Sequence, residues 1–324
     1  MNTSAKTSPL VRALAGFLEH KRALGRRYRG EAFLFRRLLA HVRRHGGNEL
    51  DAAAFQRWTR DLSRRHPNTR HASHQIVRRF CLYRRRAEPD CFVPPEISGR
   101  LHPYVTPVIV ESNQIARMLK IASGLAPAPG SPLRAPVNRI AVILLYTAGL
   151  RLGELIRLRV GDVEDDGTVL RIRDSKFHKS RLVPLSPSAT HELRAYLRRR
   201  GRVFSTEAQT PLLCNRSRNG PRAYSKPGMW DVVHRLFVLA AVRDASGRTP
   251  RVHDLRHTFA IQALIRWYRM GDDVQSSLPK LALFMGHVSI ESSAYYLRWV
   301  PALRDLASKR FEGRFGRLIE GGAQ

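Results

Sequence analysis

The chain has 324 residues, 43% of them hydrophobic, enough to bury a core and to form about two domains. Lys and Arg number 57 against 26 Asp and Glu, so the formal net charge is +31 and the pI is near 11.4. Such an excess argues against a neutral enzyme surface and for a polyanion partner, nucleic acid first, because basic side chains displace the counterions condensed on phosphates.

Three scattered cysteines, Cys81, Cys91 and Cys214, give neither a disulfide framework nor a Cys-type zinc site, and they fit a reducing cytosol. No apolar run is long enough for a membrane span, and Met1 to Val11 lacks a signal-peptide pattern. In chain order, helical spacing of apolar residues predicts a helix over Leu10 to Leu24 and another over Phe33 to Val42. Asp51 is placed to cap a third helix containing Phe55 and Trp58. Asn68 or Thr69 is placed to cap a fourth containing Ile76, Val77 and Phe80. Arginines at 26, 27, 29, 36, 37, 84, 85 and 86 are assigned to the outer faces of this basic, all-helical module. Prolines and a glycine between Cys91 and Pro107 mark a linker.

Beyond it a helix is expected over Ser112 to Ser123, a Pro-rich loop over Ala126 to Pro136, and a buried helix over Val137 to Ala148. Gly149 ends that helix and Leu152 to Leu158 begins another. The period then changes to two: Val169, Leu170 and Ile172, then Leu182, Val183 and Leu185, read as strands, with an Asp165-Asp166-Gly167 turn before the first. Helices follow over His191 to Arg200, Trp230 to Val242, His253 to Tyr268, Leu278 to Met285 and Ile290 to Trp299, and Ala302 to Ile319 could form one more. The fold class is mostly α with a small β-sheet.

Cleaving a nucleic-acid backbone adds charge to the scissile phosphate, which either metals or fixed cations must stabilise. The sparse Asp and Glu residues form no evident two-metal cluster. Arginine, always charged and bidentate toward phosphate oxygens, is the remaining route. Three segments carry candidates. Thr147 to Leu155 embeds Arg151 at a glycine-broken junction between apolar helices. Val252 to Ala260 sets His253 and Arg256 three apart, on one helix face. Leu283 to Leu297 puts His287 nine residues before Tyr296.

These segments resemble the catalytic boxes of the tyrosine recombinases, the phage-integrase family. Arg151 falls on the arginine of the first box, with Glu154 and Leu155 behind it. His253 and Arg256 match the H-x-x-R box. Met285-Gly286-His287 matches the L-G-H box with Met for Leu, and Tyr296 stands at the nucleophile spacing. Asp174 to Leu185 resembles the family's lysine-bearing hairpin, with Lys176 at the lysine; Lys179 and Arg181 are rivals on the same segment. Tyr295 is the rival of Tyr296, and adjacent helical residues point about 100° apart, so only one can face a phosphate. The tyrosine pair followed by Leu-Arg-Trp resembles transposon-borne recombinases more than the Xer group.

The resemblance implies a helical DNA core-binding domain over 1–90, a linker over 91–107, a catalytic domain over 108–301 and a tail over 302–324 that docks on a neighbouring protomer. It implies that Tyr296 attacks the phosphate of double-stranded DNA to give a 3′-phosphotyrosyl link. His253 would be the base, Arg151 and Arg256 the phosphate clamp, Lys176 the acid for the departing 5′-oxygen and His287 a hydrogen-bond donor, with no metal or cofactor. A homotetramer on two DNA sites is expected, without membrane association, for integration, excision or transposition. A structural salt bridge from Arg151 to Glu154 is the plain alternative for that arginine, and His257 reads as a buried support residue. A type IB topoisomerase or a regulator with a dead site are the rival functions, with a metal-dependent nuclease more distant.

Overall fold

The computed structural model describes residues 8–26, 28–96, 106–173, 180–286 and 296–297. They divide between two compact units, Met1–Val105 and Thr106–Gln324. Among the described residues the architecture is mostly α with two small antiparallel sheets.

The first unit holds α1 (Pro9–Ala23), α2 (Arg29–Arg44), α3 (Ala52–Asp61) and α4 (Pro67–Arg84). Asp51 caps α3, accepting from the Ala54 amide at 2.6 Å. The fourth helix starts earlier than Asn68 or Thr69. Pro67 takes its first position, where a fixed φ helps and the missing N–H has no partner to lose, and His66 Nδ1 accepts from the Asn68 amide at 3.2 Å. Phe17 is the hub of the core, edge-on to Phe35 (5.9 Å between centroids) and Phe80 (5.7 Å). Arg84 does not share the outward arginine face expected of it. It is buried, and its guanidinium donates to Glu49 Oε2 at 2.8 Å and, through Nε, to Glu88 Oε2 at 2.9 Å, since a buried cation needs compensating charge.

The second unit is built around α6 (Arg134–Thr147), whose Val137, Ile140, Ala141, Val142, Leu144 and Leu145 are all buried. This helix packs on α5 (Ser112–Ser123), α8 (Pro187–Gly201), α9 (Lys226–Leu239) and α10 (Val252–Met270). It begins a turn before the expected Val137. Pro136 sits in its first turn, where an N–H has no intrahelical acceptor, so the Pro-rich loop ends at Leu133. The helix α7 (Leu152–Leu155) is one turn long and stops short of the expected Leu158. Likewise α8 starts before His191, with Ser186 capping and Pro187 first, and α9 starts before Trp230, capped by Ser225.

The three-stranded sheet runs β1 (Val163–Glu164), β2 (Val169–Ile172), β3 (Arg181–Pro184), with Val163 opposite Leu170 and Ile172 opposite Arg181. The Asp165-Asp166-Gly167 turn is the β1–β2 connection, all three residues at positive φ; β1 itself was too short to show a period. Strands β4 (Cys214–Ser217) and β5 (Gly220–Ala223) form a hairpin that alternation did not suggest, although Asn219-Gly220 is a turn signal and Gly220 adopts φ 95°. Finally α10 runs on to Met270, Gly271 terminates it at φ 88°, and α11 (Val274–Met285) starts under an Asp273 cap, four residues before the expected Leu278. The segment 174–179 with Lys176, the residues His287 and Tyr295, most of the expected Ile290 to Trp299 helix and the tail lie outside the described residues.

Candidate active site

Four pieces of chain meet here: three bring arginines to the C-terminal end of α11, which is the fourth. The first is the turn after α6. Gly149 adopts φ +57°, and a Cβ there would stand 2.6 Å from Phe259 Cδ1, so both backbone and packing require glycine. Leu150 is then buried, and Arg151 emerges in extended conformation at the start of α7. Glu154, one turn on, is 3% exposed. Its Oε1 accepts from Arg151 Nη1 at 2.7 Å and its Oε2 from the Arg151 amide at 3.0 Å. The plain alternative for Arg151, an ion pair with Glu154, is therefore present in the geometry. It uses one edge of a guanidinium whose side chain is 27% exposed.

The second piece is the start of α10, fixed by buried Asp254, which accepts from the Arg251 amide at 2.8 Å and from Arg251 Nη2 at 2.8 Å. That anchoring orients the next residues. His253 is exposed, whereas Arg256 is 2% exposed and donates from Nη1 to the Gly149 carbonyl at 2.5 Å and from Nη2 to the Met285 carbonyl at 2.6 Å. The two residues share a helix face in the sense expected but differ in access to solvent.

The third piece is Arg181, first residue of β3. Its side chain is 7% exposed, and it forks onto Glu154 from Nη1 (3.2 Å) and Nη2 (3.0 Å) while Nε donates to the Phe284 carbonyl at 2.7 Å. The fourth is the α11 end itself. The Gly286 carbonyl accepts from Arg151 Nη2 at 2.9 Å. Three successive carbonyls, of Phe284, Met285 and Gly286, thus each accept from a different arginine: Arg181, Arg256 and Arg151. A helix C-terminus leaves its last carbonyls unpaired and carries partial negative charge, so cations are its natural partners. The chain turns there at Gly286, φ +65°, where a Cβ would lie 2.8 Å from Arg181 Nη1.

Tyr296 is 3% exposed and lies in a small core with Ala260, Ile261, Leu264, Leu281 and Met285, from the facing sides of α10 and α11. Its ring meets His257 edge-on, 5.5 Å between centroids, and His257 meets His253 at 4.6 Å. His257, half-buried and with no hydrogen-bond partner for Nδ1 among the described residues, therefore stands between the expected base and the expected nucleophile.

The electrostatics follow from crowding of cations. Burial works to raise the Glu154 carboxyl, but the hydrogen bonds and charge of Arg181, then Arg151, prevail and hold it down to about 2. Desolvation first, then the charge of Arg151, bring Arg256 down to about 9, still charged at neutral pH. Desolvation, then His257 and Arg256, bring His253 down to about 4; because its side chain reaches solvent, screening tempers this, but the ring is neutral at pH 7. Desolvation and the cations Arg251 and Arg256, against the opposing charge of Asp254, likewise bring His257 to about 4. Among the described residues no group of three His, Cys, Asp or Glu side chains is placed to hold a metal ion. The described part of the site offers fixed positive charge, a neutral imidazole pair and a tyrosine.

Of the six residues singled out in the sequence, the structure brings Arg151 and Arg256 onto one helix end and carries His253 on the same helix as Arg256. Tyr296 meets that helix through His257. Lys176 and His287 are outside the described residues. Arg181 was legible only as a rival cation, because nothing in a strand's alternation says which side chain will be drawn into a buried carboxylate.

Residues 109–301 match the model of the phage integrase family. The chain belongs to the phage integrase family. The integrase/recombinase assignment y4rB of Sinorhizobium fredii is 35% identical over 272 residues, covering 80% of this chain and 82% of that one. Tyrosine recombinase XerD of Xanthomonas campestris pv. campestris is 31% identical over 210 residues, 63% of this chain and 57% of that one. In fold, the chain is similar to the Tn1549 transposon integrase solved with transposon right end DNA, with a TM-score of 0.62 at 15% identity over 94% of this chain and 98% of that one. As a phage integrase family member the protein is a tyrosine recombinase, an enzyme of site-specific DNA strand exchange that works through a tyrosine nucleophile. Neither the topoisomerase nor the regulator reading is favoured.

Proposed function

We propose that this recombinase cuts and rejoins the DNA of a mobile element through Tyr296, in integration, excision or transposition. The Tyr296 hydroxyl attacks the scissile phosphorus, its proton passing to His253, which is neutral at pH 7 and so able to accept it. Arg151 and Arg256 hold the non-bridging oxygens and offset the charge that develops on them. The bond to the 5′-oxygen breaks as Lys176 protonates it, and His287 donates to the phosphate. The 3′-phosphotyrosyl link keeps the bond energy, so a second 5′-hydroxyl can reverse the step. The observation that carries this reading is the convergence of Arg151 and Arg256 on adjacent carbonyls immediately before His287 in the chain, beside the helix whose His257 touches Tyr296.

The helical unit, taken as residues 1–90, would grip one face of the duplex and the catalytic domain, 108–301, the other, joined by 91–107. Four protomers on two sites would exchange strands in the cytoplasm, the tail 302–324 docking in trans. A suicide substrate carrying the element's end tests the chemistry: a covalent adduct is expected with the native chain and with Tyr295→Phe, and none with Tyr296→Phe. An adduct that survives Tyr296→Phe overturns the assignment. Deleting 302–324 should weaken synapsis more than DNA binding, read by gel shift of single and paired sites; equal loss of both counts against trans docking.

A further inference from the structure

We propose that Arg181 is a positioning residue for the phosphate clamp, one that frees the charge of Arg151 by sharing Glu154 with it. The inference rests on the reading of Arg151 as a phosphate contact. Glu154 is buried, and each of its oxygens accepts from both arginines: Oε1 from Arg151 Nη1 and Arg181 Nη1, Oε2 from the Arg151 amide and Arg181 Nη2. Two guanidiniums against one carboxylate leave one positive charge uncompensated. With Arg181 removed, Arg151 and Glu154 become a neutral pair, and a phosphate meets a cation already answered by a neighbour 2.7 Å away.

The exposures divide the labour. Arg181 is 7% exposed and all three of its nitrogens donate to protein, so it has no edge to offer DNA. Arg151, on the same carboxylate, is 27% exposed. The Arg181 bond to the Phe284 carbonyl adds a geometric tether, because it fixes the helix end whose Gly286 carbonyl holds Arg151 from the other side. The left-handed conformation of Gly286, with no Cβ, leaves room for this guanidinium against the helix end.

The test compares strand cleavage on DNA with an ordinary scissile phosphodiester and with a methylphosphonate at that position, whose phosphorus carries no charged oxygen for a clamp to neutralise. Arg181→Gln should lower cleavage of the phosphodiester by about 10²-fold, the scale of losing one charge-stabilising contact. It should lower cleavage of the methylphosphonate by less than about tenfold. Arg151→Gln serves as the control and should show the same contrast. Arg181→Lys keeps the charge on Glu154 without the fork; it should lose less, with the same substrate contrast, and it guards against a glutamine variant that does not fold. Equal losses on both substrates for the Arg181 variants, with contrast kept by Arg151→Gln, overturn the role of Arg181. Absence of contrast in Arg151→Gln overturns the clamp reading beneath it, and this proposal with it.

Discussion

Two neutral imidazoles among cations make the free protein sensitive to mild acid. His253 and His257 sit near 4, below the ordinary histidine value of 6.5, so the unfolded chain binds their protons first as pH falls. Stability from these groups is full above about pH 6.5 and is lost on the way down to about 4. Glu154, held near 2 against an ordinary 4.5, contributes stability that is lost only between about 4.5 and 2, so the two windows are separable. A fall in thermal midpoint between pH 7 and pH 5 is expected, and it should shrink in His257→Gln; a pH-independent midpoint over that range would contradict the imidazole placement. In the same vein, Glu154→Gln leaves the buried Arg181 guanidinium beside the half-buried Arg151 with no carboxylate between them and should cost about 3 kcal/mol, measured by denaturant unfolding, because removing one partner strands a buried charge.

At the scale of elements, the turn after α6 is the least forgiving. Gly149→Ala would combine left-handed strain with a contact to Phe259 inside van der Waals range and is expected to cost about 2–4 kcal/mol by thermal or denaturant unfolding. Gly30→Ala, with open space around its Cβ, is the control that should be neutral or slightly stabilising. The glycine after Thr147-Ala148 was readable in the sequence as a helix stop, and so were the long periodic helices, because burying one face forces a 3.6 period. The helices α4, α6, α8 and α9 start earlier than their periodicity predicts, for a common reason. Their first turns hold Pro67, Pro136, Pro187 and Pro227, which look like breakers in a string yet suit the one place where no N–H is needed. The β4–β5 hairpin is hard to see in the sequence because its strands, Cys-Asn-Arg-Ser and Gly-Pro-Arg-Ala, lack the β-branched and aromatic residues that mark a strand. In the site, Arg151, His253, Arg256 and Tyr296 stand out through spacing and family likeness, whereas the contacts of Arg181 and His257 form only when distant segments fold together.

Over the whole molecule, a net charge of +31 overstates what a duplex can meet. Arg84, Arg200 and Arg256 are all buried. Arg200 spends its guanidinium on the carbonyls of Ser205, Pro211 and Leu212, where it ties the end of α8 to the approach to β4. The remaining cations still predict strongly salt-dependent DNA binding. With about 6–10 phosphate contacts, affinity should fall about 10³–10⁵-fold between about 50 and 200 mM salt, as read by fluorescence anisotropy. A nearly flat dependence would deny an electrostatic interface. The second unit owns its core around α6, so a fragment of residues 106–324 should unfold cooperatively on its own, seen by circular dichroism, and bind DNA more weakly than the full chain.

The arginine-bound end of α11 also fixes how long that helix is allowed to be. Three consecutive carbonyls reach three arginines only at one rotation of the helix about its axis. Removing or adding a residue between Asp273 and Phe284 would swing those carbonyls by about 100° and shift them by about 1.5 Å. The number of residues from the α11 cap to Gly286 is thus locked in phase with the site. An insertion made by design belongs before that cap, in the turn at Gly271 and Asp272, where the chain can change length without rotating anything the arginines hold.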